Sequence, residues 1–443
     1  ITSFKYNIFM KRILASLLLC IVIQPLSFGI DDIKKVYLQG AIDAAVENNL
    51  DLQATKLDID IAKNNIKEAN RLQNPSFDAF YYAGAAGWTE PRQLGISQTV
   101  EIAKRNARKN LAKANYKLAQ KNVNYTIFDL KMDVREAYIN LIATKSILET
   151  LEQQQSLQEE LLKIVKNRVH MKKVPEVDEL QAEIALNHII TQVNTAKVNV
   201  KNALYDFNKV INDPHNVTYD SMDQIFSEEN NFTEMQTPLP TEKFPQLSEI
   251  MQKALENRYD IQIAKQEIDV AEKNLTVVAR QKIPDIAING GYAYQQATHT
   301  DDGRFNSGAY LGASIVNIPL FYNYSPEIKN ATLKLQQAEL KYNSVKNKAE
   351  KDVAAAYDKF LTAAENLNHY ETKIVTGSEK LIDISKHAYE TGKSDLTSLI
   401  VMKQSYKSII VGYTYALTEY YNSWTNFLRE VNDENFKLES VNL

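Results

Sequence analysis

Ala45-Val46-Glu47-Asn48-Asn49-Leu50-Asp51-Leu52-Gln53 returns later in the chain as Ala254-Leu255-Glu256-Asn257-Arg258-Tyr259-Asp260-Ile261-Gln262. The match continues without a gap. Lys56, Ile59, Asp60, Ala62, Asn65, Arg71 and Pro75 correspond to Lys265, Ile268, Asp269, Ala271, Asn274, Arg280 and Pro284. A spacing of about 210 residues is far too long for a solenoid repeat and indicates two copies of one large unit.

Reading outward from this pair, each copy has the same order. A helix ends at Pro75 or Pro284, an extended pair follows, and two very long helices close the unit. The strands of the first copy are expected over about 76–86 and 93–100, and those of the second over about 285–298 and 307–319. Ile286, Ile288, Gly290, Tyr292 and Tyr294 alternate with Ala287, Asn289, Gly291, Ala293 and Gln295, which places apolar and aromatic side chains on one face. In the long helices, Val134, Ala137, Leu141, Thr144, Leu148, Leu151, Gln155, Gln158, Leu162, Val165 and Val169 are spaced three and four apart. Val353, Ala356, Phe360, Ala363, Leu367, Tyr370, Ile374, Gly377, Leu381, Ile384 and Ala388 repeat that spacing at a constant offset. Such a stripe faces a partner helix along its whole length. The returning helices carry Leu186, Ile190, Val193, Val200, Leu204, Phe207 and Ile211, then Leu399, Tyr406, Ile410, Tyr413, Leu417, Tyr420, Trp424, Phe427 and Val431.

The 443 residues include only 13 Gly and 11 Pro, so long unbroken elements are expected. A net charge of −4 gives no reason to expect a nucleic-acid partner. Residues 1–9 read as sequence upstream of a start at Met10. Met10-Lys11-Arg12 and the apolar run Ile13–Ile23 then read as a secretory signal peptide over 10–29, too short to span a bilayer. Cys20, the sole cysteine, lies in that run with no small residue before it, which argues against lipidation. The expected organisation is a first structural repeat over 30–212, a linker over 213–246 that is mostly irregular, a second repeat over 247–431 and a tail over 432–443.

The expected fold class is mainly α with a small β part, internally duplicated. Four amphipathic strands cannot close a membrane barrel, which starts at about eight. Their open edges require several subunits to pool strands around one hole. Tyr81, Tyr82, Tyr292 and Tyr294 are candidate membrane-interface aromatics. The alternative is a periplasmic coiled-coil scaffold without a membrane barrel.

These features together resemble the TolC family of outer-membrane efflux proteins over about residues 38–431. Leu94-Gly95-Ile96-Ser97-Gln98-Thr99-Val100-Glu101, followed by Lys104-Arg105 and Arg108, is similar to the family's strand-to-helix junction, especially in its heavy-metal branch. Gly312-Ala313-Ser314 followed by Ile318-Pro319-Leu320-Phe321 is similar to the matching second junction. The resemblance implies a homotrimer whose long helical hairpins form an α-barrel across the periplasm. Twelve strands would form a transmembrane β-barrel in contact with outer-membrane lipid. A periplasmic adaptor protein and an inner-membrane pump would dock at the far end, as in a tripartite efflux or type I secretion system.

Family members carry their gate and adaptor contact at the hairpin tips. The resemblance therefore makes Arg168, Lys172, Lys173, Tyr389, Gly392 and Lys393 candidate adaptor contacts, with Lys172 standing where the family usually has Gly. Asp178, Asp395 and Ser398 become the gate candidates. Asp178 also reads as an ordinary acidic residue in the first turn of a helix, where it suits the dipole. No catalytic constellation, cofactor motif or paired metal-ligand spacing is visible among the six histidines, so no enzyme activity, cofactor or resident metal is expected. Metal cations, organic toxins and polypeptides remain open as cargo, with the first junction leaning toward metal cations.

Overall fold

The computed structural model describes residues 33–81, 91–215, 217–222, 245–293, 308–434 and 436. The signal peptide, Cys20, Tyr82, Tyr294, the Tyr81 side chain and most of the linker and tail lie outside the described residues.

The first copy contributes β1 (Ile33–Val36), α1 (Leu38–Asn48), α2 (Leu50–Ala69), β2 (Ser76–Tyr81), β3 (Pro91–Val100), α3 (Lys104–His170) and α4 (Glu176–Ile211). After β4 (Thr218–Ser221), the second contributes α5 (Leu247–Asn257), α6 (Tyr259–Ala279), β5 (Asp285–Ala293), β6 (Gly308–Val316), α7 (Ser325–His369), α8 (Thr376–Glu390) and α9 (Leu396–Val431). The 67 residues of α3 make a rod roughly 100 Å long.

Both copies break their first helix at the same place, held by different side chains. Asn49 and Arg258 leave helical ψ at 119° and 127°. Asn49 Oδ1 then accepts the Leu52 N–H at 2.8 Å as an N-cap, while its Nδ2 donates to the Val210 carbonyl at 2.9 Å. Arg258 Nη1 instead donates to the Glu430 carbonyl at 2.9 Å and pairs with Glu430 and Asp260. Burial opposes its charge, but the two carboxylates outweigh it and hold the guanidinium well above its ordinary value. The returning helices end alike, at Asn212 and Asn432, both left-handed with φ of 50° and 59°. Asn can adopt that conformation more readily than most residues and so closes the helix.

Two apolar cores sit at this level. Tyr138, Ile139, Leu141, Phe207 and Ile211 form one, with Val36 and Tyr219. Phe360, Leu367, Tyr420, Trp424 and Phe427 form the other, joined by Phe128 and Met132 from α3. Phe360 stands 5.0 Å from Trp424, and Tyr138 stands 5.8 Å from Phe207. Each such fully buried aromatic removes enough surface from water to stabilise the fold by roughly 2–3 kcal/mol.

Three sequence expectations change. The linker is not irregular throughout: β4 pairs in parallel with β1, Ile33 opposite Thr218 through Val36 opposite Ser221. In the first half of α4 Ala185 and Ile189 are buried, one residue away from the expected Leu186 and Ile190, while Val193, Phe207 and Ile211 are buried at the expected positions. The offset between the copies is also not constant. Val134 and Leu148 match Val353 and Leu367, but Lys172 and Asn212 match Gly392 and Asn432, one residue further on. Between them lies a π-helical turn, Tyr370–Val375, the wider coil a helix forms to hold an inserted residue. Within it Ile374, and beyond it Leu381 and Ile384, all expected in the stripe, are exposed.

Candidate functional site

Strands β2, β3, β5 and β6 form one antiparallel sheet in that order. Opposite residues share a face, so the register defines two surfaces. Leu94 faces Tyr292, which faces Ala309; Ile96 faces Gly290, which faces Leu311; Val100 faces Ile286, which faces Ile315. Phe77 and Ala79 extend this surface onto β2. It is apolar and bare: Phe77, Ile96, Ile288, Tyr292, Leu311 and Ile315 are all exposed.

The other surface is polar. Ser97 Oγ lies 2.6 Å from Asn289 Oδ1, and Asn289 Nδ2 donates to Ser314 Oγ at 3.0 Å, a ladder crossing three strands. Tyr310 lies across the glycines beside it. A Cβ on Gly95 would collide with the Tyr310 hydroxyl, and one on Gly291 would collide with the Leu94 carbonyl and sit 2.6 Å from the Gly95 Cα. Closely approaching backbone requires glycine at 291, while at Gly95 it is the Tyr310 side chain that fills the space. A sheet that is apolar on one face and hydrated on the other suits the wall of a membrane pore. No described helix is long and apolar enough to cross a membrane.

Where the sheet meets the helices, Lys104 Nζ donates to Asp285 Oδ2 at 2.7 Å, and Asn317 Nδ2 donates to the same oxygen at 3.0 Å. Both charges are buried, so each is held by the other. This pair fastens the first residue of α3 to the first of β5, and so one copy to the other. Arg280 Nη1 adds a bond to the Ala103 carbonyl at 2.9 Å.

At the far end, the two hairpin tips superpose bond for bond. Met171, Lys172 and Lys173 donate to the carbonyls of Asn167, Val169 and Arg168 at 3.1, 2.7 and 2.9 Å. Thr391, Gly392 and Lys393 donate to His387, Tyr389 and Ala388 at 3.0, 3.1 and 2.8 Å. Lys172 holds φ of 56° where Gly392 holds 72°, so the first tip keeps the turn without the glycine. Lys172, Lys173, Gly392 and Lys393 are exposed.

Arg168 and Tyr389 meet each other. The guanidinium lies 4.8 Å from the ring centroid, and Nη1 donates to the hydroxyl at 2.6 Å. The two residues are 221 apart in the chain, so no local pattern announces the contact. Asp178 sits half-buried in the first turn of α4, with its N–H bonded to the Pro175 carbonyl. Asp395 caps α9, Oδ1 accepting the Ser398 N–H at 2.8 Å, which occupies the two second-copy gate candidates with each other. Hydrogen bonds from Ser398 hold the Asp395 carboxyl below its ordinary range. Among the described residues, no three His, Cys, Asp or Glu side chains converge as a metal site.

The chain matches the family model described as "Outer membrane efflux protein" over residues 41–212 and 250–408. It is 18% identical to the cobalt-zinc-cadmium resistance protein CzcC of Cupriavidus metallidurans, over 88% of this chain and 89% of that protein. Among solved structures it is similar to a membrane protein from Pseudomonas aeruginosa, with a TM-score of 0.71 at 14% identity, covering 89% of this chain and 92% of that one. It is similar also to the Campylobacter jejuni CmeC outer membrane channel, with a TM-score of 0.70 at 16% identity, covering 90% and 86%. With the family model matched across both copies, and a sheet built with one apolar and one polar face, the chain belongs to the outer membrane efflux protein family.

Proposed function

We propose that three copies of this chain assemble into one passive export duct, with twelve strands closing a barrel in the outer membrane and the hairpins forming a helical tube across the periplasm. The observation that carries this reading is the two-faced sheet with its edges at β2 and β6. Exposed apolar side chains on one face call for lipid, and unpaired edges call for further strands. Leu57, Ile61, Ile184 and Leu340 add exposed apolar surface along the helices, as a tube wall made from several chains requires. The test is the mass of the purified protein in lipid nanodiscs together with its conductance in planar bilayers. A trimer with stable conductance is expected; a monomer without conductance would sink the reading.

At the tips, Lys172, Lys173 and Lys393 present charge to an adaptor protein, through which an inner-membrane pump supplies the energy. Asp178 serves as the gate carboxylate, because Asp395 is engaged as a helix cap. A ring of carboxylates favours cations. The cargo we favour is divalent metal cations, a reading supported by the relative's name as a cobalt-zinc-cadmium resistance protein. A deletion strain should become sensitive to zinc, cobalt or cadmium; sensitivity to organic drugs alone would exclude the metal cargo.

A further inference from the structure

Partway along the helical hairpins, α3, α4 and α9 line an open-sided cavity of about 490 Å³. Part of the lining is apolar: Ile147 and Leu151 of α3, Ile189 of α4 and Val411 of α9. The polar part mixes amides and hydroxyls with three donors that matter here, Gln158 of α3 and Lys403 and Lys407 of α9, and no carboxylate lines the cavity.

Each of these donors is underused. Gln158 is only 5% exposed, and its Nε2 has no hydrogen-bond partner among the described residues. Leaving a buried amide donor unpaired is costly, and native structures do so rarely. Lys407 Nζ donates to the neutral Gln192 Oε1. Among the described residues neither lysine has a carboxylate at salt-bridge distance. Burial lowers the pKa of both, and Lys386 lowers that of Lys403 further, against an opposing pull from Glu160. Two cations partly removed from water without a counter-charge, beside an unpaired amide donor, form a site lacking its anion. The volume matches that of pockets for drug-sized molecules rather than for a bare inorganic ion.

We propose that this cavity binds an amphipathic organic anion, one carboxylate or sulfonate held by Lys403, Lys407 and Gln158 while its apolar body lies against Ile147, Leu151, Ile189 and Val411. The site uses no residue of the tips or the sheet. Its occupancy is measured as binding, independently of what the duct exports.

The test is calorimetric titration of the full-length protein in phosphatidylcholine nanodiscs with naphthalene-2-sulfonate and with its neutral counterpart 2-naphthamide. The sulfonate should bind once per chain, at least tenfold tighter than the amide. The double variant Lys403→Gln/Lys407→Gln should weaken sulfonate binding at least tenfold, and Lys403→Arg/Lys407→Arg should restore most of it. Should the glutamine pair fail to fold, Gln158→Leu serves instead, expected to weaken the sulfonate severalfold while leaving the helix signal intact. Equal affinity for sulfonate and amide, binding by the glutamine pair or by Gln158→Leu within twofold of the parent, or no binding heat at millimolar sulfonate would each overturn the proposal.

Discussion

Lys172 shows what a single residue tolerates when its surroundings fix the backbone. A left-handed conformation disfavours any side chain with a Cβ, and the equivalent position in the second copy is Gly392. Lys172→Gly should therefore stabilise the first tip by about 0.5–1 kcal/mol, read as a rise in the denaturant midpoint. Asp395 carries a pH dependence. Its folded carboxyl titrates below the ordinary range because the Ser398 hydroxyl and N–H donate to the charged form. The cap is therefore fully present above the ordinary aspartate value of about 4 and is lost as pH falls through the lower folded value. Hydrogen exchange in the first turn of α9 should accelerate on acidification through that window, and Asp395→Ala should make it fast at every pH. Neither residue's role follows from its type alone. A lysine carries no left-handed signal, and Asp395, three residues before Ser398, fits an N-cap as well as a gate, so its position alone did not separate the two roles.

Elements were more legible than residues. Alternation over 285–293 and three-four spacing along α3 are periodic signals, repeated in both copies, and the observed strands and helices follow them. The parallel pair β1–β4 escaped because Ile33–Val36 and Thr218–Ser221 are four residues each, too short to display a period. The buried Lys104–Asp285 pair escaped because its partners are 181 residues apart. Packing within the sheet yields its own test. Gly291→Ala would drive a methyl into the Leu94 backbone, which cannot rotate away as a side chain can. The variant should lose about 1–3 kcal/mol, seen as a lower melting temperature of the barrel signal.

For the whole molecule, the faces of the sheet decide where the chain resides. Leu311, on the apolar surface, is 84% exposed, and its neighbour Gly312 points to the polar surface. Leu311→Lys should cost about 2–4 kcal/mol of membrane stability near the bilayer midplane, while Gly312→Lys should insert normally. Comparing the membrane-bound fraction of the two variants checks the assignment, and equal insertion would reverse it. The π-turn bears on the same scale. Between matched positions the second hairpin has one residue more, Val353 to Gly392 against Val134 to Lys172, yet Lys172 and Gly392 occupy matching turns. The surplus amino acid is stored as girth instead of height, so adjacent staves finish flush. Deleting Thr372 should convert the turn to ordinary α-helix and leave the rim level, visible as unchanged side-chain cross-linking between Arg168 and Tyr389 positions. Alternating staves, one uniform and one with a built-in joint, would give a three-copy tube threefold rather than sixfold compliance, and any flexing of its mouth would start from the jointed set.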